Sequence, residues 1–300
     1  MPESIKEFYP GNYSKGEIKS VGKLQVIYNL SKCNYPHIAL SAYSKNDQSC
    51  SGDILSVLKA GDLVIRDLGY FATDTFKAIT DLGADYITRL KGNCSLFDIK
   101  TRKPLCLLKL LKGSMVIRRK ILLGSEKKLP VYLIAMKVPP DIASQRRRAL
   151  KKNRDARIKI TKEKLQLCAW DIYLCSSDKI KVDQVKSLYK IRWQIEIIFK
   201  AWKSALKMED NVYLYCKYRY LPEAVIWLTL LFFLLTVVPI YIILSSTQDT
   251  SIIKLTQLVL KTIKASLSWK MSKIDDFFKY YSTHETRARV PLVRKIKELT

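Results

Sequence analysis

Residues 23–90 alternate between strand-like and helix-like patterns, and this alternation constrains the fold more than any other feature of the sequence. The strand-like runs are short and rich in β-favouring residues, whereas the helix-like runs carry apolar residues three or four positions apart. The strand-like runs are residues 23–30, 36–44, 61–67 and 84–90, and the helix-like runs are residues 51–60 and 73–82. The order strand, strand, helix, strand, helix, strand predicts an α/β fold with a mixed sheet.

The pattern changes after residue 91. Further strand-like runs occupy residues 114–123, 129–138 and 165–175, and residues 145–164 hold ten Lys or Arg against two acids. We therefore predict a β-rich insertion over residues 92–182 with an exposed basic arm at 145–164. Residues 183–245 read as helices, and residues 246–300 form a basic C-terminal tail to which the sequence assigns no role. Residues 1–91 would be the front part of the fold.

The charge balance of the chain points to polyanionic partners. There are 53 Lys and Arg against 27 Asp and Glu, a formal net charge of +26. Such a chain is drawn to nucleic acid or to an acidic membrane surface. The 48% hydrophobic content excludes general disorder. The scattered cysteines include no C-x-x-C, and only two histidines exist, so a zinc finger lacks its ligand set and a reducing compartment is expected.

Residues 224–244 form an uncharged apolar run, for which two interpretations stay open. The run is long enough to cross a bilayer. Pro239 inside it and its shortness for a span favour a helix that is buried in the protein.

One helix, over residues 183–207, gathers polar side chains on a single face. At about 100° per residue, Tyr189, Arg192, Glu196 and Lys203 fall within about 60° of one another, opposite a stripe of apolar residues. An amphipathic helix with ion pairs on a solvated face would show the same alternation. Here, however, one acid lies among several bases, and ion pairing alone would require only one base for that acid.

These residues resemble a known pattern. The spacing Tyr189-x2-Arg192-x3-Glu196-x6-Lys203 is similar to the Y-R-E-K signature of IS4-type insertion-sequence transposases, and Asp67-Leu-Gly-Tyr-Phe resembles the segment around that family's second catalytic Asp. The resemblance implies an RNase H-like core whose acids hold Mg²⁺ or Mn²⁺ for DNA cleavage and strand transfer at transposon ends.

The same resemblance assigns roles to individual residues. Asp67 and Glu196 would be catalytic metal ligands, and Tyr189, Arg192 and Lys203 would bind DNA. It also implies a possible homodimer in a synaptic complex and a location in the bacterial cytoplasm, with membrane association not expected. Taken alone, without the motif residues, Asp67 would more often be a turn acid that ends a strand before a glycine.

The family's first catalytic Asp has no counterpart that we can find. Residues 2–11 resemble the stretch that follows it, so we expect a chain truncated at its N-terminus, without the first core strand and with impaired activity. Asp47 follows the second detectable strand, which is too late in the topology for it to replace that Asp. The alternative function is a non-catalytic basic protein associated with DNA or a membrane.

Overall fold

The computed structural model describes residues 1–14, 17–44, 46–152, 160–214, 220–246 and 249–267. The chain divides into two compact units. The first unit combines residues 1–46 with the chain from residue 191 onward, and the second comprises residues 47–190. The α/β class that the sequence predicts is confirmed, with a mixed sheet in the second unit and helices in the C-terminal part of the chain.

The first unit begins with two antiparallel hairpins. Strands β1 (Pro10–Ser14) and β2 (Glu17–Ser20) form the first, and β3 (Gly22–Asn29) and β4 (Asn34–Ala42) form the second. The pairs Leu24–Leu40 and Val26–Ile38 fix the register of the second hairpin. The strands predicted at residues 23–30 and 36–44 are thus confirmed. The first hairpin was not predicted, because its short polar segments lack an apolar alternation.

The second unit is built on one six-stranded sheet. Its strands are β5 (Leu63–Ile65), β6 (Asp85–Arg89), β7 (Leu96–Asp98), β8 (Val116–Leu123), β9 (Leu129–Lys137) and β10 (Trp170–Cys175), in the order β5-β6-β10-β9-β8-β7. Strands β5 and β6 are parallel and every other pair is antiparallel. The connection between the parallel strands contains helix α1 (Thr73–Asp81), as parallel pairing requires a crossover. Phe76 of α1 is fully buried and stacks on Tyr86 of β6, with ring centroids 4.5 Å apart.

The predicted boundaries at residues 91 and 182 do not coincide with the limits of the compact units. Strand β10, from the predicted insertion, pairs with β6 from the predicted front part. Both parts therefore contribute to one sheet and one unit. The boundary of the compact units instead falls between Lys190 and Ile191.

Four more helices complete the second unit. They are α2 (Leu107–Leu111), α3 (Pro140–Lys152), α4 (Lys162–Leu167) and α5 (Val182–Ile191). The predicted basic arm is helical at both ends, where α3 and α4 lie, and residues 153–159 fall outside the described residues. The strand predicted over residues 165–175 begins only at Trp170, because the Thr161 hydroxyl accepts a bond from the Lys164 amide and starts α4. The predicted helix at 51–60 is a short 3-10 segment, Ser51–Ser56.

The C-terminal part of the first unit is helical. Its segments are α6 (Trp193–Lys200), a π-helical turn (Ala201–Ala205), α7 (Met208–Leu214), α8 (Leu221–Phe232), a second π-helical turn (Phe233–Val237), α9 (Val238–Ser245) and α10 (Ile252–Leu267). Trp202, Phe233, Val237 and Leu255 are fully buried in its core. Partly buried side chains of the β3–β4 hairpin pack against the same core. Residues 268–300 of the predicted tail lie outside the described residues.

The continuous helix Leu221–Ser245 is the one helix of the described chain that is long and apolar enough to cross a membrane, with a mean hydropathy of 2.5. One side of it packs into the core through Ile226, Leu230 and Phe233. On the other side, Leu228 is 63% exposed and Leu235 is 68% exposed. The predicted burial of this apolar run is therefore found on one face only, and about a third of its most apolar window is buried.

Candidate active site

Asp67 lies at the carboxyl end of β5, where the parallel strand gives way to a 3-10 turn at Leu68–Tyr70. Its backbone is extended and its side chain is exposed. The Asp67 carbonyl accepts a bond from the Tyr70 amide at 3.1 Å, which closes the turn. Phe71 follows the turn and anchors it in the core, where its ring meets Phe76 edge-on at 5.0 Å. The turn thus presents the Asp67 carboxylate at an edge of the sheet while the chain beyond it is fixed by burial.

Side chains from outside the motif hold this turn in place. The buried Arg66 guanidinium donates a bond to the Ser51 carbonyl at 2.8 Å and lies 5.5 Å from the centre of the Tyr70 ring. The Ser51 hydroxyl in turn donates to the Tyr70 carbonyl at 2.8 Å. Burial lowers the pKa of Arg66 to about 10, which leaves it cationic at neutral pH. The buried Arg66 and the Ser51 hydroxyl therefore tie the two ends of the turn to the 3-10 segment that begins at Ser51.

Gly69 explains why this turn needs a glycine. A β-carbon at residue 69 would lie 2.7 Å from Oδ2 of Asp47 and 3.1 Å from its Cβ. The Asp47 side chain thus packs directly over the turn that carries Asp67. Burial, followed by the negative charge of Asp47, raises the pKa of the Tyr70 phenol to about 12. Local sequence patterns do not reveal this proximity, because Asp47 and Gly69 are 22 positions apart along the chain.

The four residues of the Y-R-E-K pattern are distributed over both units. Tyr189, near the end of α5, belongs to the second unit, and Arg192, Glu196 and Lys203 belong to the first. Tyr189 is 8% exposed, and its ring lies 5.3 Å from that of Tyr173 on β10. Packing against the sheet thus fixes the position of this phenol.

Arg192 and Glu196 form an ion pair. Residue 192 is the junction between α5 and α6, and its backbone keeps right-handed helical angles. Nη1 of Arg192 lies 2.7 Å from Oε1 of Glu196, four residues further along. The side chains are 22% and 36% exposed, respectively. The carboxylate that the motif identifies is therefore partly open to solvent and is oriented by the adjacent base.

Lys203 lies in the π-helical turn that follows α6. Its ammonium pairs with Glu209 at 2.9 Å, and both side chains are more than half exposed. The neighbouring Trp202 is fully buried, with ring centroids 5.4 Å from Phe199 and 5.9 Å from Tyr35. The helix-wheel prediction assumed a regular α-helix through residue 207, whereas the π-turn alters the angular position of Lys203 relative to Glu196.

Asp67 and Glu196 offer carboxylate oxygens, which are the ligands that Mg²⁺ prefers. Among the residues that the structure describes, no three His, Cys, Asp or Glu side chains gather closely enough to hold a metal ion. The two carboxylates are thus donors of the type that a hard divalent cation takes, although they form no three-residue cluster with another described side chain. Water or phosphate oxygens would have to complete its coordination shell.

The comparisons with protein families and with individual proteins agree with one another. The model of the family described as transposase DDE domain matches residues 2–235. The transposase for insertion sequence element IS231F of Bacillus thuringiensis subsp. israelensis is 25% identical over 232 residues, covering 70% of this chain and 48% of that protein. The transposase for IS1151 of Clostridium perfringens is 29% identical over 236 residues, covering 70% and 49%. The chain spans about half the length of these curated relatives.

Proposed function

Because this chain belongs to the transposase DDE domain family, with the IS4-type character that its motifs indicated, we propose that it cleaves and joins DNA at the ends of an insertion sequence. The observation that carries this proposal is the family match over residues 2–235, which includes Asp67 and the whole Y-R-E-K pattern. The net charge of +26 suits a DNA partner. A bacterial cytoplasmic location and assembly of two copies on paired DNA ends belong to the same proposal.

In this proposal, Asp67 and Glu196 hold the divalent metal. When bound, Mg²⁺ or Mn²⁺ activates the attacking oxygen and stabilises the leaving oxygen of the displaced phosphodiester. The exposed Asp67 carboxylate at the end of β5 and the partly exposed Glu196 carboxylate both leave oxygen atoms accessible to a ligand. The Ser51–Arg66–Tyr70 contacts hold the turn that carries Asp67, and the Arg192 ion pair orients the Glu196 carboxylate.

Tyr189, Arg192 and Lys203 would position the DNA backbone. A guanidinium carries five N–H donors, so Arg192 can keep its bond to Glu196 and still donate to a phosphate oxygen. The Lys203 ammonium is exposed and its pairing with Glu209 is at the surface, where exchange for a phosphate costs little. Contacts of this kind fix the position of DNA without reading its sequence.

We further propose that this chain alone is a weak nuclease. A two-metal site is normally held by several carboxylates, and the described residues provide no three-ligand cluster. Asp67 and Glu196 would then act with ligands from water and DNA.

A nicking assay with a matched set of variants tests the proposal. The probe is a supercoiled plasmid that carries the ends of the encoding element, incubated with Mg²⁺ or Mn²⁺ and with the full chain. We expect slow nicking by the wild type, lost in Asp67→Asn and Glu196→Gln and retained in the exposed controls Asp81→Asn and Glu126→Gln. Mn²⁺ titration by electron paramagnetic resonance gives a second readout, in which both site variants bind more weakly than both controls. Equal metal binding in all five proteins would contradict the metal assignment.

The second candidate function is a non-catalytic protein that associates with DNA or a membrane. The exposed apolar face of the Leu221–Ser245 helix is the observation that favours it. Flotation with anionic lipid vesicles would separate the two candidates, since the transposase proposal expects the chain to remain with the DNA rather than with the vesicles.

A further inference from the structure

One face of the six-stranded sheet carries two exposed cations, Arg118 and Lys120, that form no ion pair with another described residue. The register places Lys120 of β8 opposite Tyr132 of β9, and Arg118 opposite Ile134. Tyr132 is opposite Cys175 of β10, and Ile134 is opposite Tyr173. Directly paired residues share a face of the sheet, so Arg118, Lys120 and Tyr132 lie on the face that also carries Tyr173.

This face is the one that α5 covers. Val185 and Tyr189 of α5 pack on Ile134, Tyr173 and Cys175 in a single buried cluster. Arg118 and Lys120 are exposed beyond that cluster. Arg118 also donates a bond to the Asp178 carbonyl at 2.6 Å, in the loop that leads into α5. The cations thus lie beside the start of the helix that carries Tyr189.

Both cations converge on one aromatic ring. The Arg118 guanidinium lies 5.3 Å and the Lys120 ammonium 5.5 Å from the centre of the Tyr132 ring. We call Arg118, Lys120 and Tyr132 the β8 patch. Cation–π contacts at these distances hold two like charges on one ring, where each repels the other.

No carboxylate among the described residues pairs with the β8 patch. Within the described part of the chain, neither Arg118 nor Lys120 forms an ion pair, and the exposed Asp178 carboxylate pairs with neither. The adjacent Arg119 points to the opposite face and pairs with Asp98 at 2.5 Å. Among the residues that the structure describes, β8 thus has an ion-paired cation on one face and cations without an acidic partner on the other.

We propose that the β8 patch binds the phosphate backbone of duplex DNA, as a contact separate from the Y-R-E-K residues. Two exposed cations that pair with no described acid create the positive potential that a polyanion neutralises. The Tyr132 ring restrains both side chains and lowers the entropy that they lose on binding. The patch rests on the proposed function, because it would extend the DNA contact from Tyr189 along the loop before α5 to β8.

Fluorescence anisotropy with a labelled 30-base-pair duplex, using the full chain over a range of salt concentrations, tests this proposal. The variant Arg118→Gln/Lys120→Gln removes the patch charges. The control Arg119→Gln/Lys127→Gln removes two charges that pair with Asp98 and Asp74, so the net charge changes equally. We expect the patch variant to lose tenfold or more in affinity at about 0.1 M salt and to lower the slope of log K against log salt by nearly 2. The control should keep the wild-type slope.

Tyr132 provides a second readout. Tyr132→Phe keeps the ring and should bind like the wild type, whereas Tyr132→Leu should weaken binding several-fold. Equal losses in the two double variants, or an unchanged slope in the patch variant, would overturn the β8 patch and leave the proposed function standing. A wild-type chain that does not bind duplex DNA even at low salt would overturn the proposed function itself, and the patch with it.

Discussion

The guanidinium of Arg192 lies 2.7 Å from the carboxylate of Glu196, so the proposed metal ligand is oriented by its own helix. An i,i+4 pair of this kind contributes about 0.3–0.5 kcal/mol when exposed, and we allow about 1 kcal/mol for its partial burial. Glu196→Gln should therefore lower the free energy of unfolding by no more than about 1 kcal/mol while it abolishes metal-dependent cleavage. Urea unfolding of both proteins provides the measurement. A much larger loss of stability would mean that Glu196 has a structural role.

Asp171 of β10 is a buried acid that joins two helices to the sheet. It pairs with Arg146 of α3 at 2.7 Å and with Lys186 of α5 at 2.9 Å, and its side chain is 4% exposed. Because the bases are partly exposed, we expect Asp171→Asn to cost about 1–3 kcal/mol rather than the 3–5 kcal/mol of a fully buried pair. The exposed pair Asp81–Lys77 gives the control, since Asp81→Asn should change stability by less than about 0.5 kcal/mol.

The pH dependence of the Asp171 effect has a defined sign. Burial acts to raise the pKa of Asp171, but the bonds from Lys186 and Arg146 outweigh it and the pKa is lowered below 3.8. A carboxyl group whose pKa is lowered in the folded state stabilises the fold at pH values above its unfolded-state pKa. This stabilisation is lost as the pH falls through the folded-state pKa. The stability difference between wild type and Asp171→Asn should therefore be constant near neutral pH and shrink below about pH 4. A difference that grew toward acid would contradict this assignment.

Gly69 allows Asp47 to approach the turn that holds Asp67. Gly69→Ala would place its β-carbon 3.1 Å from Cβ of Asp47, which a rotation of the Asp47 side chain cannot relieve. We expect a loss of about 1–3 kcal/mol, with part of it recovered in Gly69→Ala/Asp47→Gly. Gly52→Ala is the matched control, because an added β-carbon there meets nothing within 4 Å. Additive effects of the two single substitutions would refute the contact.

The cysteines should react with thiol reagents in a fixed order. Cys106 is exposed, whereas Cys33 and Cys175 are buried, and burial raises the pKa of Cys175 to about 12. Since the thiolate is the reactive form, Cys106 should be modified first and Cys175 only after unfolding. Mass spectrometry of iodoacetamide-treated protein, digested after denaturation, would locate each modified residue. Early modification of Cys175 would be inconsistent with its position in the sheet.

The Leu221–Ser245 helix yields a prediction about solubility. Leu235 is 68% exposed and Phe233 is fully buried, although only Leu234 lies between them. Leu235→Lys should change the free energy of unfolding in detergent-free buffer by no more than about 0.5 kcal/mol, as expected of a surface change. Its thermal midpoint should therefore stay close to that of the wild type. Phe233→Ala should cost about 3–5 kcal/mol. If the wild type were recovered from a membrane fraction and Leu235→Lys only from the soluble fraction, a spanning helix would be the better interpretation.

Apolar alternation and helical spacing predicted those strands and helices whose burial follows a regular period along the chain. Strands β3, β4, β5, β6, β8 and β9 and helix α1 lie where apolar alternation or helical spacing placed them. Helix α3 was missed because Ala143 is its one buried residue, so the helix carries almost no apolar stripe. Strand β10 was predicted too long because the apolar Leu165 and Leu167 suit a strand or a helix equally well, and the Thr161 cap decides for the helix.

The candidate site was predictable only in part. The motif residues were found from their spacing, but Ser51, Arg66 and Asp47 enter through contacts between residues 15 to 22 positions apart, which no local period reveals. The π-helical turn at Ala201–Ala205 has no local signature either, since its shape follows from the packing of Trp202 among Tyr35, Phe199 and Phe233.

That π-helical turn has a consequence for changes in the length of the chain. Its closing bond runs from the Leu206 amide to the Ala201 carbonyl at 3.1 Å, which encloses one residue more than an α-helical turn does. Deleting Ser204, which is exposed, should let the turn tighten to α-helical geometry while α7 and the helices beyond it keep their places. The same deletion within α6 would rotate every downstream side chain by about 100°. Sequences with eight rather than nine residues between the positions of Glu196 and Leu206 can thus share one fold, and a search with rigid spacing across this turn would overlook them.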